Sequence, residues 1–284
     1  MKVEIICPLY NAEKYIENLH NSFLKQVGNF TLIITYVLTN GSDQTENILK
    51  KLNANYSVIE SNEFSHSLTR EKAAMQSTAD IIVFVTQDVI IRRNDWLKNL
   101  IKDIGKDNVA ATYSRQLCTN NSIEKYTREK NYPETSFTVS KEDINEKGLR
   151  TFFFSDASGA IDLNVFKKLK GYDGKKLPIS EDMYFAYKLI MNGYKIGYCA
   201  ESEVEHSHKF SFKELYDRYY LTGKFFKQNS YLNQYGTTES GLNMAIYIFK
   251  QSIKERNMQA LKEFFPNMLA RYFGMKKGKR RWKQ

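Results

Sequence analysis

The first hundred residues alternate between strand-like and helix-like segments, and this alternation limits the fold more than any other feature of the sequence. Four segments are rich in β-branched and aromatic residues, as buried strands are. In chain order they are KVEIICPLY, FTLIITYVLTN, YSVIES and DIIVFVT. Segments of about 10 to 15 residues with helical periodicity separate them. This arrangement predicts βαβ units and therefore an α/β fold with a mostly parallel sheet.

Candidate site residues lie at three of these strands, at the points where we expect the strands to end. Pro8 lies at the end of the first, residues 40–43 follow the second, and Gln87 and Asp88 follow the fourth. The carboxyl ends of parallel strands meet at one edge of a sheet, and ligands bind there. We therefore expect these residues to share one crevice. Because no Gly-x-Gly-x-x-Gly or Walker pattern follows any strand, the sequence argues against a dinucleotide dehydrogenase or a P-loop nucleotidase.

Asp88 is the most informative of these residues because a carboxylate is costly to bury. It lies in VFVTQDVII, residues 83–91, in which six of the nine residues are Val, Ile or Phe. Either the strand ends at Thr86 and Asp88 faces a cleft, or Asp88 is a paired charge in the core. A single Asp after a strand is also common as a turn or cap residue.

Three further groups of polar residues could carry chemistry. Glu181 and Asp182 open a predicted helix, where carboxylates also stabilise the first turn. His206 and His208 alternate along an extended segment, so both face the same side and could bind a metal ion or simply lie at the surface. Arg70 lies on the face of a predicted helix, where most arginines are solvated. Each group therefore has a structural interpretation beside the functional one.

Composition separates several classes of protein. The 284 residues are 42% hydrophobic and 14% aromatic, enough for a substantial core, and no stretch approaches the apolar length of a membrane span. Three widely spaced cysteines form neither a disulfide framework nor a zinc site, which predicts a reducing, cytoplasmic compartment. Residues 271–284 contain seven Lys or Arg and no acid, leaving 35 basic and 32 acidic residues in the other 270. The net charge of +10 is therefore mostly terminal, and no nucleic-acid partner is expected.

In order and spacing, these segments resemble the family 2 glycosyltransferases. IICPLYNAEKYIENLHNSF resembles their first strand and helix, TNGSDQT the loop after their second strand, and TQDV their aspartate motif. SEDMYFAYKLIMNGYKIGYCAESEVEHSH resembles their acidic-pair helix and the strand after it. FSHSLTREKAA, FVTQDVIIRRNDWL and VEHSH are most similar to the rhamnosyltransferase branch, which uses dTDP-rhamnose. The resemblance covers roughly residues 1–210.

The resemblance implies a GT-A fold, the Rossmann-like, mostly parallel sheet of nucleotide-diphospho-sugar transferases. The catalytic domain would span residues 1–209, and residues 210–284 would form a helical, aromatic and basic C-terminal extension. The implied activity is inverting, metal-dependent transfer of L-rhamnose from dTDP-rhamnose to a lipid-linked glycan in cell-surface polysaccharide biosynthesis. The alternatives are a UDP-hexose-dependent transferase of the same family and a non-catalytic GT-A-like module that binds a nucleotide sugar. A binding module would have no need of an acidic pair at the cleft.

The resemblance also implies a role for each polar group at the cleft. Asp88 would hold Mn²⁺ or Mg²⁺ against the donor diphosphate, and His208 or His206 would complete the coordination shell. An imidazole ligand would favour Mn²⁺ over Mg²⁺. Asp182 would be the general base that takes the proton of the acceptor hydroxyl, and Glu181 would support it or cap the helix.

Donor binding is implied at the strand ends and on one helix. Arg70 would donate charged hydrogen bonds to the diphosphate. Many relatives have Asp-x-Asp where this chain has VTQD, so a carboxylate is replaced and the metal site carries less charge. These relatives also often have an acid after the second strand, where this chain has Thr39 and Asn40. The implied donor-binding residues are Pro8, Tyr10, Asn40, Asp43, Arg70 and Gln87.

The acceptor and membrane sides of the site are implied more loosely. SDASGA, residues 155–160, would border the acceptor, with Asp156 and Ser158 binding its hydroxyls, although a simple turn fits these residues equally well. The C-terminal helices mix aromatic and basic side chains, as amphipathic helices on anionic membranes do. A peripheral contact at the cytoplasmic face of the membrane would suit a lipid-linked acceptor. The same pattern also fits core packing or a homodimer contact with a solvated tail.

Overall fold

The computed structural model describes residues 1–280, with residues 237–240 described by their backbone alone. Among these residues, eight strands form one sheet in the order β3-β2-β1-β4-β7-β5-β8-β6. Residues 281–284, the end of the predicted basic tail, lie outside the described residues. The strands are β1 (Lys2–Leu9), β2 (Thr31–Thr39), β3 (Tyr56–Ile59), β4 (Ile81–Val85), β5 (Val109–Leu117), β6 (Phe137–Val139), β7 (Ser158–Asp162) and β8 (Lys195–Glu205).

Most neighbouring strands are parallel. β1 runs parallel to both β2 and β4, β2 to β3, and β5 to β8. β7 lies between β4 and β5 and is antiparallel to both, and β6 pairs antiparallel with β8 at the edge of the sheet. The predicted α/β fold with a mostly parallel sheet is confirmed.

The central strand β4 ends before Asp88. All five of its residues are buried and apolar, and it pairs with β1 on one side and β7 on the other. Thr86 and Gln87 follow outside the strand, and Asp88 lies in the turn at the carboxyl edge of the sheet. The cost of burying a carboxylate between two strands is thereby avoided. Asp88 is a cleft residue and not a core charge.

Helices cover both faces of the sheet and continue beyond it. On one face Phe23 and Trp96 pack against the odd-numbered residues of β4, and on the other face Phe166 and Phe185 pack against its even-numbered residues. This division follows from the alternation of side chains along a strand. The helices are α1 (Ile16–Leu24), α2 (Thr45–Lys51), α3 (His66–Gln76), α4 (Trp96–Ile101), α5 (Ile123–Asn131), α6 (Ile144–Lys147), α7 (Leu163–Lys168), α8 (Glu181–Met191), α9 (Phe212–Gln228), α10 (Thr237–Lys254) and α11 (Met258–Lys279).

The C-terminal helices α9 and α11 pack closely enough to require glycine. A Cβ atom on Gly278 would collide with the carbonyl oxygen of Tyr220, and one on Gly274 would collide with that of Tyr216. α10 and α11 also pack on α5. The predicted helical C-terminal part is confirmed, and α9 is held against α11, which packs on α5. No helix among the described residues is long and apolar enough to cross a membrane.

Candidate active site

Asp88, His206 and His208 come together at the carboxyl edge of the sheet. Asp88 follows β4, and the two histidines follow β8. Asp88 Oδ1 is 3.5 Å from His206 Nε2, and Asp88 Oδ2 is 3.7 Å from His208 Nδ1. One ligand atom from each of the three residues lies within 4.8 Å of the others. This metal-binding cluster of two imidazoles and a carboxylate could hold a divalent cation such as Mn²⁺.

Gln116 determines which nitrogen of His206 faces Asp88. The Gln116 Oε1 atom accepts a hydrogen bond from Arg128, whose guanidinium can only donate, and Gln116 Nε2 donates to Ser155 Oγ at 2.8 Å. His206 Nδ1 lies 2.8 Å from the same Oε1 atom and therefore donates to it. In the neutral imidazole, the Nε2 lone pair then points toward Asp88. A metal-binding histidine is oriented in this way by its second nitrogen.

The pKa values of these groups favour a cation in place of a proton. Burial lowers the pKa of His206, and burial together with the charge of His206 lowers the pKa of His208 to about 4. Burial opposes ionisation of Asp88, but the hydrogen bond and charge of His206, the charge of His208 and a hydrogen bond with Thr86 together hold the pKa of the Asp88 carboxyl below its usual range. These tendencies conflict if a proton lies between the two groups. They agree for a cation, which requires a neutral imidazole and an ionised carboxylate.

Arg70 and Glu181 form a buried ion pair beneath the start of α8. The Arg70 side chain is 3% exposed, and its Nη1 atom lies 3.3 Å from Glu181 Oε1. The same nitrogen donates to the backbone carbonyl oxygen of His66 at 3.0 Å. Buried charges are tolerated when they are paired and hydrogen-bonded. The pair therefore links α3 to the first turn of α8, which carries Asp182.

Asp182 and Asp156 lie near this pair and hold their protons more strongly than ordinary carboxyls. Burial, followed by the charges of Glu181 and Asp156, raises the pKa of Asp182 well above its usual value. Burial raises the pKa of Asp156 to about 7, although the charge of Arg70 opposes the increase. One Asp156 oxygen accepts from the Tyr172 hydroxyl at 2.7 Å, and the other has no partner among the described residues. Carboxyls whose pKa is raised in this way are typical of groups that take part in acid–base chemistry.

Both groups of residues lie beside β4. The Arg70 guanidinium carbon is 6.0 Å from the centre of the Phe84 ring in β4, and Asp88 follows this strand. In the neighbouring strand β1, burial raises the pKa of the Cys7 thiol, while the charge of Arg70 lowers it and that of Asp88 raises it. A single buried thiol thus lies within the electrostatic influence of Arg70 and of Asp88. The fold therefore brings the metal-binding cluster and the Arg70–Glu181 pair to one region of the sheet edge.

The sequence identifies the family to which this arrangement belongs. Residues 4–170 match the model of glycosyl transferase family 2. The chain belongs to this family. It is 36% identical over 230 residues to the O-antigen chain rhamnosyltransferase RfbN of Salmonella typhimurium, covering 79% of this chain and 72% of that protein. It is 34% identical over 235 residues to the O-antigen chain rhamnosyltransferase WbaN of Salmonella anatum, covering 81% and 74%.

Solved structures agree with this family assignment at the level of the fold. The structure of S. aureus TarS matches with a TM-score of 0.58 at 21% identity, over 93% of this chain and 45% of that one. The mannosyltransferase PcManGT from Pyrobaculum calidifontis, solved with GDP-Man and Mn²⁺, matches with a TM-score of 0.56 at 16% identity, over 97% and 72%. The predicted GT-A fold is confirmed. As a member of glycosyl transferase family 2, the chain is a glycosyltransferase, which confirms the predicted enzyme class.

In this family 2 glycosyltransferase, two of the predicted donor-binding residues hold the loops of the sheet edge together. Gln87 accepts from the backbone N–H of Tyr10 at 2.7 Å and donates to the Tyr10 carbonyl oxygen at 3.0 Å, so it joins the ends of β1 and β4. Asp43 accepts from the N–H groups of Glu13 and Thr45 at 2.9 and 3.0 Å. These two side chains shape the loops that border the cleft.

The remaining predicted donor-binding residues differ in accessibility. Tyr10 and Asn40 are exposed and Pro8 is half-buried, all at the carboxyl edge of the sheet, where a ligand can reach them. Arg70 is almost completely buried, and Glu181 occupies its guanidinium. A diphosphate would have to displace this ion pair. We therefore no longer expect Arg70 to contact the diphosphate, and its place in the structure is that of the partner of Glu181.

Ser158 lies in the core and cannot contact an acceptor, which corrects the expectation from the sequence. It is fully buried at the start of β7, with its hydroxyl 2.7 Å from that of Ser114 and 3.2 Å from Trp96 Nε1. The small residues that suggested a turn instead begin a strand between β4 and β5. Asp156, which precedes that strand, is also buried but is part of the carboxyl cluster near Arg70.

A cleft of about 350 Å³ opens beside Asp88 and His208. Several of its lining residues lie in segments that the resemblance covers, but the sequence singled out only Asp88 and His208 among them. Gln116 was also missed, because a glutamine inside a strand gives no signal of its contact with a distant histidine. The residues of the cleft that the sequence did not reveal are Tyr15, Ile90, Thr119, Glu205, Ser207 and Lys209.

Proposed function

We propose that this chain is an inverting, metal-dependent rhamnosyltransferase that moves L-rhamnose from dTDP-rhamnose to a lipid-linked glycan in the synthesis of a cell-surface polysaccharide. The observation that carries the proposal is the metal-binding cluster of Asp88, His206 and His208 at the sheet edge of a family 2 glycosyltransferase. Two relatives at 34% identity or more are named O-antigen chain rhamnosyltransferases, which supports the choice of sugar and of product.

The metal-binding cluster would hold Mn²⁺ or Mg²⁺. Its two imidazoles favour Mn²⁺, the ion present in the PcManGT structure. The orientation of His206 by Gln116 and the ionised state of Asp88 fit such a ligand set. A cation bound there would neutralise charge on the diphosphate leaving group.

The acidic pair would activate the acceptor. Asp182 would take the proton of the acceptor hydroxyl while the oxygen attacks the anomeric carbon and the bond to the diphosphate breaks. This single displacement inverts the anomeric centre, so a β-linked donor gives an α-linked product. Its raised pKa makes Asp182 a stronger base than an exposed aspartate with a pKa of about 3.9. Glu181, held by Arg70, would keep the first turn of α8 in place.

Titration calorimetry with dTDP and with UDP, each with and without Mn²⁺, tests the proposed donor and metal. We expect Mn²⁺-dependent binding that favours dTDP over UDP. A preference for UDP would replace the donor with a UDP-hexose, an alternative supported by the TarS structure in complex with UDP-GlcNAc. Absence of binding to either nucleotide would contradict the proposed function.

We also propose that residues 1–209 form the catalytic domain and that the helices after it contact the cytoplasmic face of the membrane. α10 exposes Leu242, Ile246, Phe249 and Ile253 at helical spacing. α11 continues this apolar surface, because Phe249 contacts Phe264 of α11, next to the exposed Phe265. Residues 241–280 contain nine Lys or Arg and two acids. This charge favours an anionic lipid surface over a second copy, which would repel the first.

Replacing Leu242 and Ile246 together by Glu should reduce binding of the full chain to vesicles that contain anionic lipid by at least about 10-fold, because two apolar side chains would be replaced by charges. Co-sedimentation with anionic and with zwitterionic vesicles measures the effect. Val58→Glu, at a similarly exposed apolar residue on β3, is the matched control and should bind normally. Vesicle binding unaffected by the double substitution would contradict the proposed contact. If the double substitution instead abolished dimerisation of the chain, the surface would be identified as a homodimer interface.

A further inference from the structure

The site described so far has no accessible arginine for the donor diphosphate. Arg70 is buried and paired with Glu181, and Arg128 donates to Gln116 and lies over the ring of Tyr132. A nucleoside diphosphate carries two or more negative charges, and protein sites for such groups commonly include arginine, whose guanidinium binds two oxygens at once. An exposed cation near the cleft would therefore be needed to bind the diphosphate.

Arg218 of α9 is an exposed cation without an anionic partner among the described residues. The structure gives its guanidinium no ion pair and no hydrogen bond with the described side chains of residues 1–236 and 241–280. The acids nearest to it in sequence are occupied elsewhere: Asp217 pairs with Lys213 at 2.6 Å, and Glu214 accepts from Ser211 at the start of α9. An arginine held on a helix but left unpaired is available to a ligand anion.

Two aromatic rings connect Arg218 to the metal-binding cluster. Its Cζ atom lies 5.8 Å from the centre of the Phe210 ring. Phe210 stacks on His208, with ring centres 5.0 Å apart and an angle of 26° between the planes. His208 Nδ1 lies 3.7 Å from Asp88. This series of contacts orients the guanidinium beside the residues that would bind the cation.

The positive charge of Arg218 reaches both parts of the site. Burial is the largest influence on His66 and Asp182, lowering the pKa of His66 and raising that of Asp182. The charge of Arg218 lowers the pKa of His66 further and opposes the increase for Asp182. This influence agrees with the contacts through Phe210 and His208, which place Arg218 on the side of the metal-binding cluster formed by α9.

We propose that Arg218 binds the diphosphate of the nucleotide-sugar donor. This inference rests on the proposed function, since it requires a nucleoside diphosphate donor. α9 is suited to the task because Ser211 and Glu214 form a capping box at its start and Gly223 packs against α11. The C-terminal helices then contribute a donor-binding residue to the site as well as a surface.

Calorimetric titration of thymidine, dTMP and dTDP, all with Mn²⁺, tests the assignment without measuring transfer. Arg218→Ala should weaken dTDP binding by about 10- to 100-fold, the range of a charged hydrogen-bonded contact, and leave thymidine binding unchanged. Arg218→Lys should restore only part of the lost dTDP affinity, because an ammonium cannot bind two phosphate oxygens in a bidentate contact. Lys224→Ala is the matched control. Lys224 is exposed on the same helix, with its ammonium 5.8 Å from the ring of Tyr220, and its loss should leave dTDP affinity unchanged.

Two results would overturn the assignment. One is unchanged dTDP affinity in a folded Arg218→Ala variant, whether or not the acceptor KM is raised, and the other is an equal loss in Lys224→Ala. Arg218→Gln, which keeps a polar side chain but removes the charge, replaces the alanine variant if the latter does not fold. If the unmodified chain binds UDP and not dTDP, the proposed donor is wrong while Arg218 stays testable. The same series with uridine, UMP and UDP then decides, because Arg218 would contact phosphates and not the base.

Discussion

Asp88→Ala should reduce the rate of sugar transfer by at least about 1,000-fold, which corresponds to about 4 kcal/mol of lost transition-state stabilisation. Asp88 supplies the carboxylate of the metal-binding cluster, and its removal leaves two neutral imidazoles. Mn²⁺ and Mg²⁺ both prefer oxygen ligands, so the remaining pair would bind either ion weakly. Initial rates with saturating dTDP-rhamnose, measured over a range of Mn²⁺ concentrations, give the effect.

The structure offers a matched control for this substitution. Asp95 lies in the same connection between β4 and α4, is partly exposed, and pairs with Arg93 at 2.8 Å. Asp95→Ala should retain the original rate and change the free energy of unfolding by no more than about 0.5 kcal/mol. Circular dichroism of Asp88→Ala should show an intact fold, because Asp88 lies outside β4. A folded Asp88→Ala variant with undiminished transfer at every Mn²⁺ concentration would rule out the metal role.

The strand ends and the pairing of the two histidines could be predicted because local sequence determines both. β4 alternates between two buried faces, so its residues had to be apolar throughout, and a polar pair directly after them marks the end of the strand. His206 and His208 are two residues apart in extended chain, which places them on one side whatever the tertiary structure is. Because side chains alternate between the two sides of an extended chain, their sides can be predicted even when the neighbouring strands are unknown.

The partners of these residues could not be predicted, because they depend on strand order. Gln116 reaches His206 across 90 residues only because β5 lies beside β8. Arg70 and Glu181 are 111 residues apart, and no periodicity shows that the guanidinium would be taken by Glu181 and not by a ligand. Ser158 was misassigned for the same reason, since the antiparallel insertion of β7 between β4 and β5 turns a stretch of small residues into core.

Asp182→Asn should lower kcat by about 100- to 10,000-fold, the range attributed to a general base, and leave dTDP affinity nearly unchanged. Asparagine has almost the same shape but cannot accept the acceptor's proton. Titration calorimetry and kcat measured on the same preparation separate the two quantities. Asp173→Asn is the control. Asp173 pairs at 2.7 Å with Lys188 of α8, the helix that carries Asp182, and it is partly exposed. Its substitution should therefore have little effect on kcat.

The pH dependence of kcat distinguishes a base from a binding residue. Burial and the nearby charges of Glu181 and Asp156 raise the pKa of Asp182, so the carboxyl stays protonated to a higher pH than an ordinary aspartate. Only the ionised form accepts a proton, and kcat of the unmodified enzyme should therefore increase as pH rises through that pKa. In Asp182→Asn this rising limb should disappear, because the titrating group is absent. If the limb persists in the variant, or if only dTDP affinity falls, another group is the base and Asp182 helps to hold the donor.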